Sequence, residues 1–237
     1  MRYVSDLFTN PVGRKSIAED REVYKKLLKP DSLCFDVGAN IGAKSLSMLG
    51  AGCRVVAFEP QPNCALEIES RCKPYASRLT LCKKALGREP GNLVLHSDEI
   101  HHNYASFHND WEGDLKVEIP VEVITLDEAI RIYGKPDYLK IDVEGWEFEV
   151  LSGLSHSIPI VSFEYHLADR ELQATRNCID HLSKLSGNGL ELNVAEAETS
   201  RFLYDNWLPE AEFWKVFPEN FYDRPGYTYG DIWVRAL

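Results

Sequence analysis

The chain has no Cys-x-x-Cys pair, no Asn-x-Ser/Thr sequon and no apolar run near the roughly 20 residues that a membrane span requires. Its six cysteines, Cys34, Cys53, Cys64, Cys72, Cys82 and Cys178, are scattered, several of them inside apolar runs such as Leu33-Cys34-Phe35. A disulfide or zinc framework is therefore not expected, and reduced, buried thiols are. The first 20 residues carry charges throughout and no apolar stretch, which argues against a signal peptide. Cations are also short: Lys plus Arg is 26 against 37 Asp plus Glu, a net charge of −11. That deficit weighs against non-specific nucleic-acid binding and against docking on anionic membranes. These features together fit a cytoplasmic protein. What is present is an ordinary globular composition, 44% hydrophobic and 27% charged, too apolar for a disordered chain. The length, 237 residues, suits one domain, or one domain with insertions.

Ser16-x-x-Glu19 reads as a capping box opening a helix that Pro30 stops. Short apolar runs then alternate with helical stretches: strands at 33–37, 54–59 and 79–83, helices at 43–49 and 61–72. After an interruption at 91–124, with extra strands at 92–96 and 117–124, the pattern resumes. A helix at 126–133, a strand at 138–142, a helix at 145–151 and a strand at 159–165 follow. A helix at 168–185 and strands at 189–194 and 231–236 complete it. Such alternation predicts an α/β fold, a mostly parallel sheet with helices on both faces. Residues 202–233 are rich in aromatics, among them Trp207, Trp214 and Trp233.

Asp36-Val37-Gly38-Ala39-Asn40-Ile41-Gly42 lies where the first strand hands over to the first helix of the alternation, the place where open α/β sheets bind ligands. A dinucleotide turn needs Gly-x-Gly-x-x-Gly; here only Gly38 and Gly42 are present, and the carboxylate of Asp36 would repel a pyrophosphate. An acid suits a ligand bearing an ammonium or sulfonium, and S-adenosylmethionine carries both. Glu59 ends the second strand, where an acid accepts hydrogen bonds from ribose hydroxyls. A turn capped by Asn40 with no ligand is the plain alternative.

Lys140-Ile141-Asp142-Val143-Glu144-Gly145-Trp146-Glu147 ends a later strand. Asp142 and Glu144 are two apart, and residues two apart on a strand share a face. They are candidates for handling the proton of an acceptor hydroxyl, and Asp142 is a candidate cofactor contact as well. With Glu164 they are also candidate ligands of a divalent cation such as Mg²⁺. Glu147 reads most simply as a solvated acid at a helix N-terminus. Glu164 and His166 end the next strand on one face, and His166 is a candidate proton acceptor. His101, His102 and His108 share a polar loop with Asn103 and Ser106. Their spacing is irregular for a metal site, and Asn103 or Ser106 is the better candidate for a ligand contact.

The blocks Phe35–Gly42, Ala57-Phe58-Glu59-Pro60, Thr125-Leu126-Asp127, Leu139–Glu147 and Val150-Leu151-Ser152-Gly153 resemble, in this order, the FkbM family of S-adenosylmethionine-dependent methyltransferases. The resemblance covers residues 33–166. It implies a class I methyltransferase (Rossmann-like) fold whose seven-stranded sheet ends in an antiparallel strand. It further implies O-methylation of a hydroxyl, often on a sugar of a glycan or glycolipid or on a polyketide-type product. The first block, Glu59 and Pro60 would hold the cofactor, with Lys84 and Ala85 in the segment on its adenine side. One domain over 1–237 follows: a helical segment at 1–30, a cofactor-binding core at 31–200, an aromatic insertion at 201–230 as a candidate acceptor-site cap, and the last strand at 231–237. Two rivals remain, a nicotinamide-dependent oxidoreductase on a related fold and a non-catalytic glycan-binding or scaffold module.

Overall fold

The structure, a computed structural model, describes residues 11–97, 105–107, 117–167, 169–195, 200–217 and 229–237. In chain order the elements are α1 Pro11–Leu27, β1 Leu33–Val37, α2 Ala43–Gly50, β2 Arg54–Phe58, α3 Pro62–Arg71, a 3₁₀ segment Lys73–Arg78 and β3 Leu79–Cys82. Then come β4 Ala85–Leu86, β5 Gly91–Ser97, β6 Ala105–Ser106, β7 Val117–Ile124, α4 Leu126–Tyr133, β8 Tyr138–Ile141 and α5 Glu147–Ser152. The chain ends with β9 Ile160–His166, α6 Asp169–Ser186, β10 Leu190–Ala195, β11 Leu208–Pro209, α7 Glu210–Val216 and β12 Tyr229–Ala236.

Every residue of β1 and β8 is buried, as continuous runs on central parallel strands should be. The main sheet has eight strands in the order β11-β10-β12-β9-β8-β1-β2-β3. β12 runs antiparallel between β9 and β10, so the expected antiparallel last strand is present. The eighth strand is the two-residue edge β11, paired with β10. Strand order reverses between β1 and β8: from β1 the chain builds outward through β2 and β3, and from β8 it builds the other way through β9. The carboxyl ends of β1 and β8 therefore flank the crevice where such sheets bind ligands.

Alternate residues of these strands feed two cores. One face carries Phe35, Val37, Phe58, Leu139, Ile141 and Phe163. The other carries Cys34, Val55, Ala57, Tyr138 and Trp233. On that second face the rings of Tyr138 and Trp233 stack with centroids 5.1 Å apart. Tyr24 of α1 closes over Tyr138 at 5.6 Å.

Helix α1 begins at Pro11, so Ser16 lies inside it and caps nothing. Proline is at home in a first helical turn because its missing N–H has no partner to lose. Glu19 pairs with Lys15 one turn back. A true capping box forms at α4, where the Thr125 hydroxyl accepts the Glu128 amide and the Glu128 carboxylate accepts the Thr125 amide.

A second sheet, β4-β7-β5-β6, grows from the interruption between β3 and α4. Its own core is Ala85, Leu95, Val121 and Val123, with Phe107 packed against it. All six cysteines are buried free thiols. No helix among the described residues is long and apolar enough to cross a membrane.

Candidate active site

The first turn is built on backbone geometry that only some residues can adopt. Gly38 has φ +75, and a Cβ on it would sit 1.8 Å from the carbonyl oxygen of Asp142. The turn after β1 thus lies directly on the end of β8, and glycine is the residue that permits it. Asn40 is left-handed at φ +49, and its amide donates to Glu59 Oε2 at 2.8 Å. It does not cap α2, which Gly42 precedes without a side-chain cap. The other oxygen of Glu59, Oε1, accepts the Gln61 amide at 2.8 Å. Glu59 is 3% exposed. Burial pushes its carboxyl up to about 7, against the opposing pull of those two amides.

Asp36 takes a different place from the one the motif suggested. It is fully buried and does not line the cavity described below. Its Oδ2 accepts the Ser45 hydroxyl of α2 at 2.5 Å, and its Oδ1 lies 3.9 Å from the Lys140 ammonium. Lys140, level with Asp36 on the neighbouring strand, donates to Asp142 Oδ2 at 2.8 Å. Burial by itself would push the Lys140 ammonium down; the carboxylates of Asp142, Asp36 and Asp231 outweigh it and hold it above the ordinary lysine value. Burial raises the Asp36 carboxyl, with Lys140 and Ser45 opposing. Gly42 also lies off the cavity; a Cβ there would meet Ile68 of α3 at 3.1 Å.

Beyond Asp142 the chain turns through Glu144 at φ +52 and Gly145 at φ +90. Carboxylate oxygens of Asp142, Glu144 and Glu164 lie within 4.8 Å of one another. Burial, then the neighbouring Glu164 and Asp142, push Glu144 up to about 9. Burial and the same kind of repulsion raise Glu164. His166 faces Glu164 across 3.2 Å and stacks on Tyr229. Asp231 of β12 pairs in register with Glu164. Burial pushes it up to about 6, with Lys44 and Lys140 opposing.

One cavity of about 210 Å³ joins these parts. Gly38, Asn40, Glu59 and Pro60 line it, as do Lys84, Ala85, Asp142, Glu144 and Glu164. Asp36, Gly42 and His166 do not; His166 lines a smaller void of about 20 Å³ behind Glu164. Lys84 is partly exposed and pairs with Glu122 at 2.5 Å. Ser106 sits on β6 opposite His96. His101, His102, Asn103 and His108 fall outside the described residues.

Sequence reasoning passed over Gln61, Leu95, Phe107 and Trp146, all of which line the cavity. Gln61 is buried and its Oε1 accepts the Ser97 hydroxyl at 2.9 Å. Its signal was adjacency to Glu59-Pro60; Leu95 comes from β5 of the second sheet and Phe107 follows β6, and they had none. The cavity offers apolar walls at Phe58, Leu86 and Leu95, a carboxyl acceptor at Glu59 and acids at Asp142, Glu144 and Glu164.

The family model described as the methyltransferase FkbM domain matches residues 36–192. Hexuronic acid methyltransferase AglP of Haloferax volcanii is 25% identical over 154 residues, covering 63% of this chain and 62% of that protein. Methyltransferase sdnD of Sordaria araneosa is 32% identical over 155 residues, covering 50% and 59% respectively. The chain thus spans about six tenths of the length of these curated relatives. A solved structure described as an rRNA methylase, from Clostridium thermocellum, aligns at a TM-score of 0.50 and 10% identity over 94% of this chain and 96% of that one. At that identity it speaks for the fold alone, a class I Rossmann-like one. With a family match over most of its length, from the end of β1 to β10, the chain belongs to the FkbM methyltransferase domain family.

Proposed function

We propose that this chain transfers a methyl group from S-adenosylmethionine to a hydroxyl oxygen, that of a sugar in a glycan, glycolipid or glycosylated natural product. The observation that carries the reading is one cavity holding both the amide-anchored carboxylate of Glu59 and the acids Asp142, Glu144 and Glu164. The relative acting on a hexuronic acid supports a carbohydrate acceptor.

The residues present fit that donor. A carboxylate offers about four lone-pair positions. The backbone amides of Asn40 and Gln61 use one on each oxygen of Glu59 and the Gln61 side chain adds a third donor, which still leaves an acceptor for a ribose hydroxyl. Phe58, Leu86 and Leu95 offer apolar contact to a base, beside Lys84 and Ala85. Gly38 lets the backbone approach closely. The acids beyond it favour a sulfonium and disfavour the pyrophosphate of a nicotinamide cofactor. S-adenosylmethionine supplies an electrophilic methyl group when bound. Asp142, oriented by the Lys140 ammonium, would accept the hydrogen bond of the acceptor hydroxyl and take its proton as the new C–O bond forms and the methyl C–S bond breaks, the electron pair leaving with sulfur as the neutral thioether S-adenosylhomocysteine. Glu144 flanks it, and His166 acts through Glu164.

Calorimetric titration with S-adenosylhomocysteine and, separately, NAD tests the donor. A mass-spectrometric screen of free and lipid-linked carbohydrates for a gain of one CH₂ tests the acceptor. Binding of NAD alone, or methyl transfer confined to nitrogen or carbon acceptors, would sink the reading.

The clustering of three carboxylates favours a second version, in which Asp142, Glu144 and Glu164 hold Mg²⁺ through oxygen ligands and the ion polarises the hydroxyl. Turnover lost in chelator and restored by Mg²⁺ selects it; chelator-insensitive turnover excludes it.

A further inference from the structure

Glu147 opens α5, where a solvent-facing acid would do no more than favour a helix N-terminus. It does not face solvent: it is 8% exposed. Its Oε1 accepts the amide of Val143 at 3.0 Å and that of Gly145 at 3.3 Å. The residue between those amides is Glu144, left-handed at φ +52. That conformation costs a residue with a Cβ about 1–2 kcal/mol, so it persists only where its surroundings enforce it. Both enforcing bonds converge on one oxygen. Asp142 and Glu144 leave this turn into the large cavity, whereas Glu147 lies beneath and lines only the smaller void.

We propose that Glu147 is a positioning residue, whose carboxylate clamps the amides on either side of Glu144 and so aims Asp142 and Glu144 at the acceptor. The inference rests on the reading of Asp142 as proton acceptor. It demands an oxygen at one place and makes no demand for charge. Two conservative variants separate these properties. E147Q keeps a carbonyl oxygen able to accept both amides and loses the charge. E147D keeps the charge but withdraws the oxygen by one methylene.

The assay is methyl transfer from S-adenosylmethionine to the acceptor found by the mass screen. E147Q should keep kcat within about threefold. E147D should lose roughly 10- to 100-fold, the scale of a misplacement near 1 Å. In both, acceptor KM and S-adenosylhomocysteine affinity should stay near wild type. The opposite ranking would show that charge matters rather than placement, and overturns the inference. So does full activity in both variants, or an equal loss in both that tracks a fall in melting temperature. A wild-type protein that neither binds S-adenosylhomocysteine nor transfers methyl refutes the function instead. The clamp is then read from a crystal structure of E147D, in which Glu144 should leave the left-handed region; its staying there overturns the inference.

Discussion

Glu59 offers a test in which pH and mutation must agree. Both of its oxygens accept backbone amides at 2.8 Å, yet burial raises its carboxyl from 4.5 to about 7. Ribose hydroxyls need acceptors, and the ionised carboxylate is the better one. If binding requires that form, S-adenosylhomocysteine affinity should fall about tenfold per pH unit below 7 and level off above 8. E59Q removes the titration and replaces one acceptor oxygen by a donor. At pH 8 it should bind roughly 10- to 100-fold more weakly, the worth of a hydrogen bond to a charged group. Its affinity should then stay flat from pH 6 to 8. The sign for stability is opposite. A raised carboxyl pKa means the folded state holds the proton more tightly, so wild-type stability falls as pH rises from 4.5 to about 7. At about 1.4 kcal/mol per pH unit, Glu59 accounts for roughly 3 kcal/mol of that fall, and E59Q should lack it. Calorimetry and urea titrations at three pH values read both effects. An E59Q protein that keeps the wild-type pH slope in binding, or binds as tightly at pH 8, refutes the reasoning.

Three other perturbations have worked directions. Gly38→Ala sets a Cβ 1.8 Å from the Asp142 carbonyl at φ +75. It should lower the melting temperature by more than about 10 °C, and a drop of only a few degrees would contradict the close approach. Lys140→Met strips the cation from Asp142 and Asp36, at a cost of about 3–5 kcal/mol at pH 8. The cost should shrink as the pH is lowered, because burial makes the Asp36 carboxyl easier to protonate; a loss that stays constant with falling pH in urea unfolding would count against it. Trp214 lies 4.2 Å beneath the Arg176 guanidinium, and Trp207 4.8 Å beneath that of Arg235. Their alanine variants should each lose about 2–3 kcal/mol with acceptor KM unchanged. A raised KM at unchanged stability would make these rings part of an acceptor cap.

The sheet was legible because its strands are buried on both faces: Leu-Cys-Phe-Asp-Val and Tyr-Leu-Lys-Ile read as continuous core runs, and both are. Strand boundaries agree to within a residue or two. Helix α1 misled because Ser16 and Glu19 imitate a capping box at a spacing that any amphipathic helix can contain; Pro11, five residues earlier, is the stronger start signal. The edge strand β11 was invisible, being two residues with a proline, paired to β10 at the margin of the sheet. The second sheet could be guessed as extra strands but not placed, since it reaches the cavity through Ala85 and Leu86 of β4, Leu95 of β5 and Phe107 just after β6.

The site was legible in its membership and not in its depth. A local reading sets Asp36 against the ligand because it opens the turn. Side-chain alternation instead sends it to the α2 face, and only the pairing of β1 with β8, about a hundred residues on, reveals Lys140 at its level. Asp231 was unreadable for the same reason: its partner Glu164 comes from pairing β12 with β9. The register thus gathers Asp36, Asp142, Glu164 and Asp231 around Lys140, with Glu144 beside them. Carboxylates so close and so buried raise one another's proton affinity, a cost that Lys140 and, at Asp36 and Asp231, Lys44 offset only in part. Stability alone would not assemble them. A cationic guest would relieve the repulsion, and either a sulfonium or a divalent ion would serve. Hence donor titration and chelation are separate experiments: the first asks whether Glu59 and the acids read one molecule, the second whether the acids hold a second guest of their own.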